Sequence, residues 1–389
     1  MTTEQIQPIA PSKRTAIVDM LRGWALLGVV LMNYTDLYYL DRNFKNFHPD
    51  LLTKILSNFS GIVFAAKSWT MLSMLFGYGF AVLITNVSNK GINPVKFFTI
   101  RMFWLFVLAF VNSAFWFGDI LKDYAFMGLI LLFFYKIKPK PAFIICVVLL
   151  ALLPVIQPLV NHIHSTSNDT FMKLFPLYHS ASLLNNFKFN LLATYYGEII
   201  SPQYAITVHI AMLICFLLGY SAQRVDFFNK LADNKKYIKR VFWYMLLIAL
   251  VLTVFALFAD KMKWTYYKYY NPRYYIVLSI MLFTVAALCW LYIAGKLKRF
   301  FSSMEVIGKM TLTNYMTQSV IIFFVFNGAG LGIGSKLPFW FYMVLPISIY
   351  IAQVYFSKWW LSRYNYGFVE WIWRQLSYNK RLPLKKVKA

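Results

Sequence analysis

Apolar residues in this chain do not recur at the helical spacing of a soluble bundle; they run on without interruption. Runs near 18 residues or longer fill most of the chain from residue 16 to 360, and about 20 helical residues cross the hydrocarbon of a bilayer. Ten windows are predicted to be spans: 16–38, 59–85, 98–116, 121–136, 142–161, 204–222, 241–259, 274–295, 311–327 and 338–360. The expected fold is therefore all-α, a polytopic transmembrane helical bundle. It comprises an N-terminal segment 1–15, a membrane domain 16–360 and a basic C-terminal tail 361–389. A tight polar hairpin at Gly118–Asp123 joins the third and fourth windows, and 162–203 is the one sizeable piece between spans. The first run is too long for a signal peptide, begins with Asp19 and Arg22, and lacks a small-residue cleavage site. It is expected to remain as the first span.

Composition supports this class. The chain has 389 residues, 60% hydrophobic and only 14% charged, where soluble domains carry about 25% charged residues. Its 37 Phe, 27 Tyr and 12 Trp exclude disorder. The formal net charge of +25 then orients the bundle: 26 of the 39 Lys and Arg fall on the side of the N-terminus and 12 opposite. Basic residues favour the cytoplasmic side, so both termini are expected there, with 162–203 outside. The stretches Arg224–Arg240 and Arg381–Lys388 suit anionic lipid, at about 1 kcal/mol per charge. Lipid, rather than nucleic acid, is the expected partner, and the oligomeric state is not legible. The run Trp264–Tyr270 has the composition of an interfacial aromatic belt. Three Cys, at 146, 215 and 289, each lie inside an apolar run, which excludes a disulfide framework or a zinc knuckle.

Candidate chemistry comes from polar residues where lipid should exclude them. An ionisable residue in a span costs roughly 2.5–3.5 kcal/mol even on a lenient scale, so each needs a partner or a function. In the first span Asp19 and Arg22 are spaced to pair on one helix face, and Arg22 and Asn33, three turns apart, point the same way. The stripe is either an ion pair plus a helix–helix hydrogen bond, or a cavity wall whose Arg22 meets an anionic group. Asp119 either holds the hairpin by accepting backbone N–H bonds or serves as a base. Thr311, Asn314 and Gln318 follow helical spacing and either glue helices together or bind a ligand. Lys67 opens the second span and either snorkels or meets substrate. Among five histidines, His48 is a candidate general base just beyond the first span, and His209 lies within the sixth. His162 and His164 are spaced like metal ligands but lack a third partner, so no metal is expected. The glycine-rich run Asn327–Gly334 has no preceding strand and no following Lys-Ser/Thr, and reads as a turn.

Four motifs together resemble the YeiB-like family of bacterial multi-span membrane proteins. They are Asp19-Met-Leu-Arg22-Gly23 through Asn33, Lys67 through Leu75-Phe76-Gly77-Tyr-Gly79, and Trp116-Phe-Gly118-Asp119-Ile-Leu121 with Tyr124-Ala125. The last runs from Gly308-Lys-Met-Thr-Leu-Thr-Asn314 and Gln318 to Gly367-Phe-Val-Glu370-Trp371-Ile-Trp373-Arg374. The family often places a His shortly before the third motif, where this chain has Asn112. The first span is also similar to that of transmembrane acyltransferases, the acyltransferase-three group and the lysosomal glucosaminide acetyltransferases. Where the first group has a His beyond its Arg, this chain has Asn33; His48 imitates the later catalytic His of the second.

These resemblances imply a protein of the bacterial cytoplasmic (inner) membrane, with an acyl-CoA donor inside and a cell-envelope glycan or lipid acceptor outside. No bound cofactor is implied. His48, Asp119 and Asn33 are then the catalytic candidates, and Asp19, Arg22, Lys67, Asn314, Gln318 and His209 the substrate-binding ones. Competing functions are a transporter or flippase whose polar residues line a path, and a non-catalytic membrane protein.

Overall fold

A computed structural model describes residues 15–40, 49–163 and 167–386. Among these residues there are sixteen α-helices and no strand beyond an isolated bridge between Tyr364 and Lys385. The first half comprises α1 (Ala16–Leu37), α2 (Leu51–Val63), α3 (Lys67–Ser88), α4 (Pro94–Ser113), α5 (Leu121–Leu131) and α6 (Pro139–Asn161). Three shorter helices follow, α7 (Ser167–Met172), α8 (Phe175–Tyr178) and α9 (Leu183–Thr194). The second half is α10 (His209–Arg224), α11 (Lys235–Lys261), α12 (Arg273–Ile293), α13 (Lys298–Lys309), α14 (Thr311–Phe326), α15 (Phe341–Arg363) and α16 (Phe368–Tyr378).

Every one of the ten expected windows is helical, and seven helical stretches are long and apolar enough to cross a membrane. The other three differ for local reasons. At 11 residues, α5 is too short to cross alone, and α14 is an apolar helix of only 16 residues. Helix α15 has the length but carries Pro346, Gln353, Ser357 and Lys358. The second window is itself divided: Ala66 adopts a left-handed conformation (φ 62°), which ends α2 and starts α3 in a new direction.

Helix α1 is the axis of the bundle, buried on nearly all sides against α3, α13, α14 and α15. Helix α11 is its opposite, burying only Ile238, Ala249 and Ala259 while leaving Leu247, Val251, Val254 and Leu257 exposed. An apolar surface of that extent suits lipid, and in hydrocarbon only a helix satisfies its own backbone. The protein is therefore a membrane protein.

Two crossings set the packing, and both are glycine-paired. A Cβ on Gly23 of α1 would overlap the carbonyl of Met304 in α13, and one on Gly308 of α13 would overlap that of Asp19. The α3–α10 crossing repeats the device, with Gly77 against Phe216 and Gly219 against Met74. Small residues let membrane helices approach backbone to backbone, replacing the hydrophobic drive that lipid does not supply.

Two pieces expected to be peripheral fold onto the bundle. Within 162–203, Leu174, Tyr178, Phe189 and Ala193 form a small core of their own. Asn190 and Thr194 then donate to the carbonyls of Ala114 (3.0 Å) and Phe117 (3.0 Å), docking this piece on the hairpin after α4. The tail is likewise no free appendage over its described residues. Trp373 of α16 stacks on the Arg101 guanidinium of α4 at 3.6 Å, and the N–H of Lys386 donates to the carbonyl of Arg363 (3.0 Å).

Gly219→Ala should lower thermal stability in detergent by about 1–3 kcal/mol, the usual cost of overpacking. Gly61→Ala, whose added methyl meets nothing within 4 Å, serves as the control. Equal melting temperatures for the two variants would mean that the α3–α10 crossing has room to spare.

Candidate functional site

The residues of α1 divide between two cavities. The first, about 340 Å³, lies along its N-terminal half and is lined by Asp19, Arg22 and Leu26. Apolar side chains such as Phe76, Leu83, Phe98 and Met102 form its interior, while Arg101, Lys309 and Arg374 bring further cations. The second, about 310 Å³, lies along the C-terminal half and is lined by Asn33, Asp36, Trp69, Trp116, Glu198 and Tyr204. Ile120 and Tyr315 line both cavities and so form the wall between them. The single stripe expected on α1 therefore serves two chambers, with Arg22 in one and Asn33 in the other.

In the first cavity Arg22 Nη1 donates to Asp19 Oδ1 at 2.9 Å, the pairing that the i,i+3 spacing predicts. Asp19 is buried, whereas the Arg22 side chain keeps 30% exposure and turns Nη2 toward Gly79. The guanidinium is thus held at one nitrogen and open to the cavity at the rest. The adjoining floor comes from the C-terminal motif. Glu370 accepts the N–H groups of Leu312 (2.6 Å) and Thr313 (3.0 Å), which α14 leaves unpaired in its first turn. A carboxylate from α16 thereby caps α14, and the same helix adds Trp373 and Arg374 to the cavity wall.

Beside the shared wall lies a buried ionic cluster. Asp119 is fully buried: its Oδ1 accepts from the Asn112 amide at 2.8 Å, its Oδ2 from the Lys122 N–H at 3.3 Å. The Lys122 ammonium donates to the Asp119 carbonyl (2.8 Å) and to Asp123 Oδ2 (3.0 Å), and pairs with Glu198. Asp123 also accepts from Tyr204 (2.8 Å) and meets His209 Nε2 at 3.1 Å. The other His209 nitrogen faces the Ala205 carbonyl at 2.7 Å. Both ring nitrogens of His209 therefore lie within hydrogen-bond distance of an oxygen. Glu198, in the irregular π-helical turn Tyr195–Ile199, is pushed up to about 8 by burial, against the opposing pull of Lys122.

The remaining sequence candidates fall elsewhere. Asn314 donates to Ser357 (3.1 Å) and Gln318 to Gln353 (2.6 Å), so both join α14 to α15 and line neither cavity. Thr311 lines the first cavity and donates to the carbonyl of Gly308. Lys67 is buried and donates to the Gly61 carbonyl (2.7 Å), bracing the α2–α3 break rather than snorkelling. Asp119 and His209 belong to the cluster and line neither cavity. His48 and His164 lie outside the described residues, and His162 bonds the carbonyl of Pro158 one turn back. All three cysteines are buried and unbridged.

Sequence reasoning missed Glu198, Tyr204, Tyr315 and Arg101. Glu198 sits in a stretch assigned to the exterior, Tyr204 opens the sixth expected span, and Tyr315 is hidden inside the Thr311–Gln318 pattern. Asn112, noted as a departure from the family pattern, proves to be a direct partner of Asp119.

Asp19→Asn and Arg22→Gln should each destabilise the protein, and the double replacement should cost less than their sum by about 0.5–3 kcal/mol. Additive losses in a thermal cycle would mean that the pair contributes no coupling. Glu370→Ala should cost about 1–2 kcal/mol through loss of the α14 cap. An unchanged melting temperature would assign α16 no part in holding α14.

Residues 222–380 match the family described as "Protein of unknown function (DUF418)". Over nearly its whole length the chain is similar to "Uncharacterized protein YxaH" of Bacillus subtilis (strain 168), 26% identical over 98% of each chain. It is similar too to the "Uncharacterized 39.9 kDa protein in amylase 3'region" of Bacillus acidopullulyticus, 27% identical over 97% of this chain and 98% of that one. "Uncharacterized protein YeiB" of Escherichia coli (strain K12) is 24% identical over 94% of this chain and 96% of its own. No solved structure matches. The matched C-terminal region includes α14, α15 and the Glu370 motif, and along nearly its whole length the chain is similar to these uncharacterised proteins, YeiB among them.

Proposed function

We propose that this protein transfers an acyl group from a cytoplasmic acyl-CoA to a hydroxyl acceptor on the far side of the bacterial cytoplasmic membrane. The observation that carries the reading is the pair of cavities meeting at one wall, Ile120 and Tyr315. Both termini lie in the cytoplasm in this reading, so the first cavity opens inward. Its cations, Arg22, Arg101, Lys309 and Arg374, suit the phosphates of the donor, and its apolar interior suits the acyl chain. The second cavity opens outward and offers Asn33, Asp36 and Glu198 beside the rings of Trp69 and Trp116, a lining suited to a glycan or a lipid headgroup.

The acceptor oxygen attacks the thioester carbonyl at the shared wall. A C–O bond forms, the C–S bond breaks, and the thiolate leaves inward. Asp119 lines neither cavity, so the role of base passes to Glu198, which takes the hydroxyl proton on the outer side. The raised affinity of its carboxyl for a proton, about 8, suits a general base near neutral pH. Asn33 holds the acceptor in line, and orientation of this kind supplies much of such a rate.

Transport of a charged solute is the second reading. Cavities reaching one wall from opposite ends of α1 favour it, as does the irregular stretch Gln203–Val208 that precedes α10.

Calorimetric titration of the purified protein with acetyl-CoA and longer acyl-CoAs separates the two. Binding that Arg22→Ala weakens, together with transfer that Glu198→Gln abolishes, is the expected result. His48→Ala tests the alternative base. If no acyl-CoA binds at about millimolar concentration, an affinity near −4 kcal/mol, while a charged solute crosses reconstituted vesicles, the transport reading replaces acyl transfer. Reporter fusions should place both ends and Arg224–Arg240 in the cytoplasm, and protease cleavage of that loop from outside intact cells would invert the orientation.

A further inference from the structure

One buried donor in the wall of the second cavity is left without an acceptor. Trp116 is 4% exposed, and among the described residues no group accepts its indole N–H. Native structures leave few buried donors in that state, and each calls for an explanation. The indole edge that carries the N–H lies against Gly118, where an added Cβ would come within 2.8 Å of Nε1. Both residues line the cavity, so the missing side chain is what leaves the N–H open to it. The ring is also held in place, because α9 ties the backbone on either side of it. Asn190 donates to the Ala114 carbonyl (3.0 Å) and Thr194 to that of Phe117 (3.0 Å).

The rest of the lining decides what that N–H can meet. Asn33 offers donors and an acceptor, Asp36 and Glu198 offer acceptors, and Trp69 and Phe117 add aromatic rings. No Lys or Arg lines the cavity among the described residues. The two carboxylates have their cations outside it, Lys122 paired with Glu198 and Arg273 acting on Asp36. An ammonium ligand would find those charges already answered, and it carries no lone pair for the Trp116 N–H. A phosphate would accept from the N–H but would face two carboxylates with no cation on its side of the wall. A hydroxyl donates and accepts without charge, and so matches all of these groups at once. Several hydroxyls on a ring with apolar faces describe a sugar. A volume of about 310 Å³, near the lower end for ligand pockets, limits it to a small one.

We propose that the second cavity binds an uncharged sugar, with the Trp116 N–H, kept open by Gly118, as the donor that selects it. A sugar oxygen accepts from Nε1, while its hydroxyls donate to Asp36 and Glu198 and exchange hydrogen bonds with Asn33. The same set turns away phosphate-bearing and ammonium-bearing headgroups. This narrows the acceptor named above to a glycan, and it rests on that reading only for what becomes of the hydroxyl beside Glu198. Trp116 and Gly118 are specificity-determining positions, and neither lines the first cavity.

The test is calorimetric titration of the full chain in amphipol, free of added lipid and of alkyl maltosides, which are themselves sugars. Methyl glucoside, methyl galactoside and N-acetylglucosamine are the uncharged probes, and glycerol 3-phosphate and choline the charged ones. Saturable binding of at least one uncharged probe at about millimolar concentration is expected, with none for either charged probe. Trp116→Phe keeps an aromatic ring and removes the N–H. It should weaken sugar binding about tenfold and leave the melting temperature unchanged, since the donor it deletes has no partner within the described protein. Gly118→Ala, which covers the N–H, should weaken binding comparably, and Trp243→Phe, an exposed indole on α11, should have no effect. The inference is overturned if no uncharged probe binds, if glycerol 3-phosphate or choline binds as tightly, or if Trp116→Phe binds the sugar like wild type. A lower melting temperature for Trp116→Phe, with binding kept by Gly118→Ala, equally overturns it. Sugar binding without acyl-CoA binding would uphold it and remove acyl transfer, whereas acyl-CoA binding without sugar binding would do the reverse.

Discussion

An ammonium among apolar helices is tolerated only where carboxylates surround it, and Lys122 is where this bundle meets that constraint. Leaving such a charge unpaired is strongly destabilising, by about 3–5 kcal/mol when fully buried. All three of its donors are used, on the Asp119 carbonyl, on Asp123 and on Glu198. The partners come from three separate parts of the chain. Asp119 belongs to the hairpin after α4, Asp123 to the first turn of α5, and Glu198 to the irregular turn that follows α9. Satisfying one amine therefore draws the segment 162–203 down onto the bundle and fixes a helix too short to span alone. The irregular turns Tyr195–Ile199 and Gln203–Val208 are where the backbone bends to bring Glu198, Tyr204 and His209 into reach. Helical irregularities of this type often accompany functional sites.

What the sequence made legible was local. Asp19 and Arg22 are three residues apart on one helix, so their pairing follows from helical geometry, and the contact is there at 2.9 Å. The helix-joining role of Asn314 and Gln318 follows from amides on an apolar helix that must find acceptors on a neighbour. Long apolar runs gave the class for the same reason, since lipid imposes it on every residue in turn. Partners far apart in sequence carried no such signal. Glu198 lies 76 positions beyond Lys122, and nothing around Tyr195-Tyr-Gly-Glu198 separates a buried acid from a solvated one. Charge counting treats 162–203 as one block and has no means of seeing part of it dock on the bundle. The C-terminal motif was legible as a pattern, but its purpose was not. Glu370 acts on the backbone N–H groups of Leu312 and Thr313, and backbone groups leave no trace in composition.

The glycine-paired crossings and the ionic cluster address opposite halves of one problem. Between lipid-facing helices there is little hydrophobic drive to pack, so close approach at Gly23, Gly308, Gly77 and Gly219 supplies dispersion and rigidity. That rigidity holds α1 against α13 and α3 against α10, which are elements that frame the cavities. The shared wall is different. It consists of Ile120, in a hairpin, and Tyr315, one turn into a helix capped by a carboxylate from elsewhere in the chain. The Ile120 N–H donates to the Tyr315 hydroxyl at 3.2 Å, so one hydrogen bond closes the space between the chambers. A single neutral bond of this type contributes only about 0.5–1.5 kcal/mol net. The frame is thus built of contacts that cannot give, and the partition of one that can. In either reading of the function, the two chambers are separated at Ile120 and Tyr315 by that one hydrogen bond.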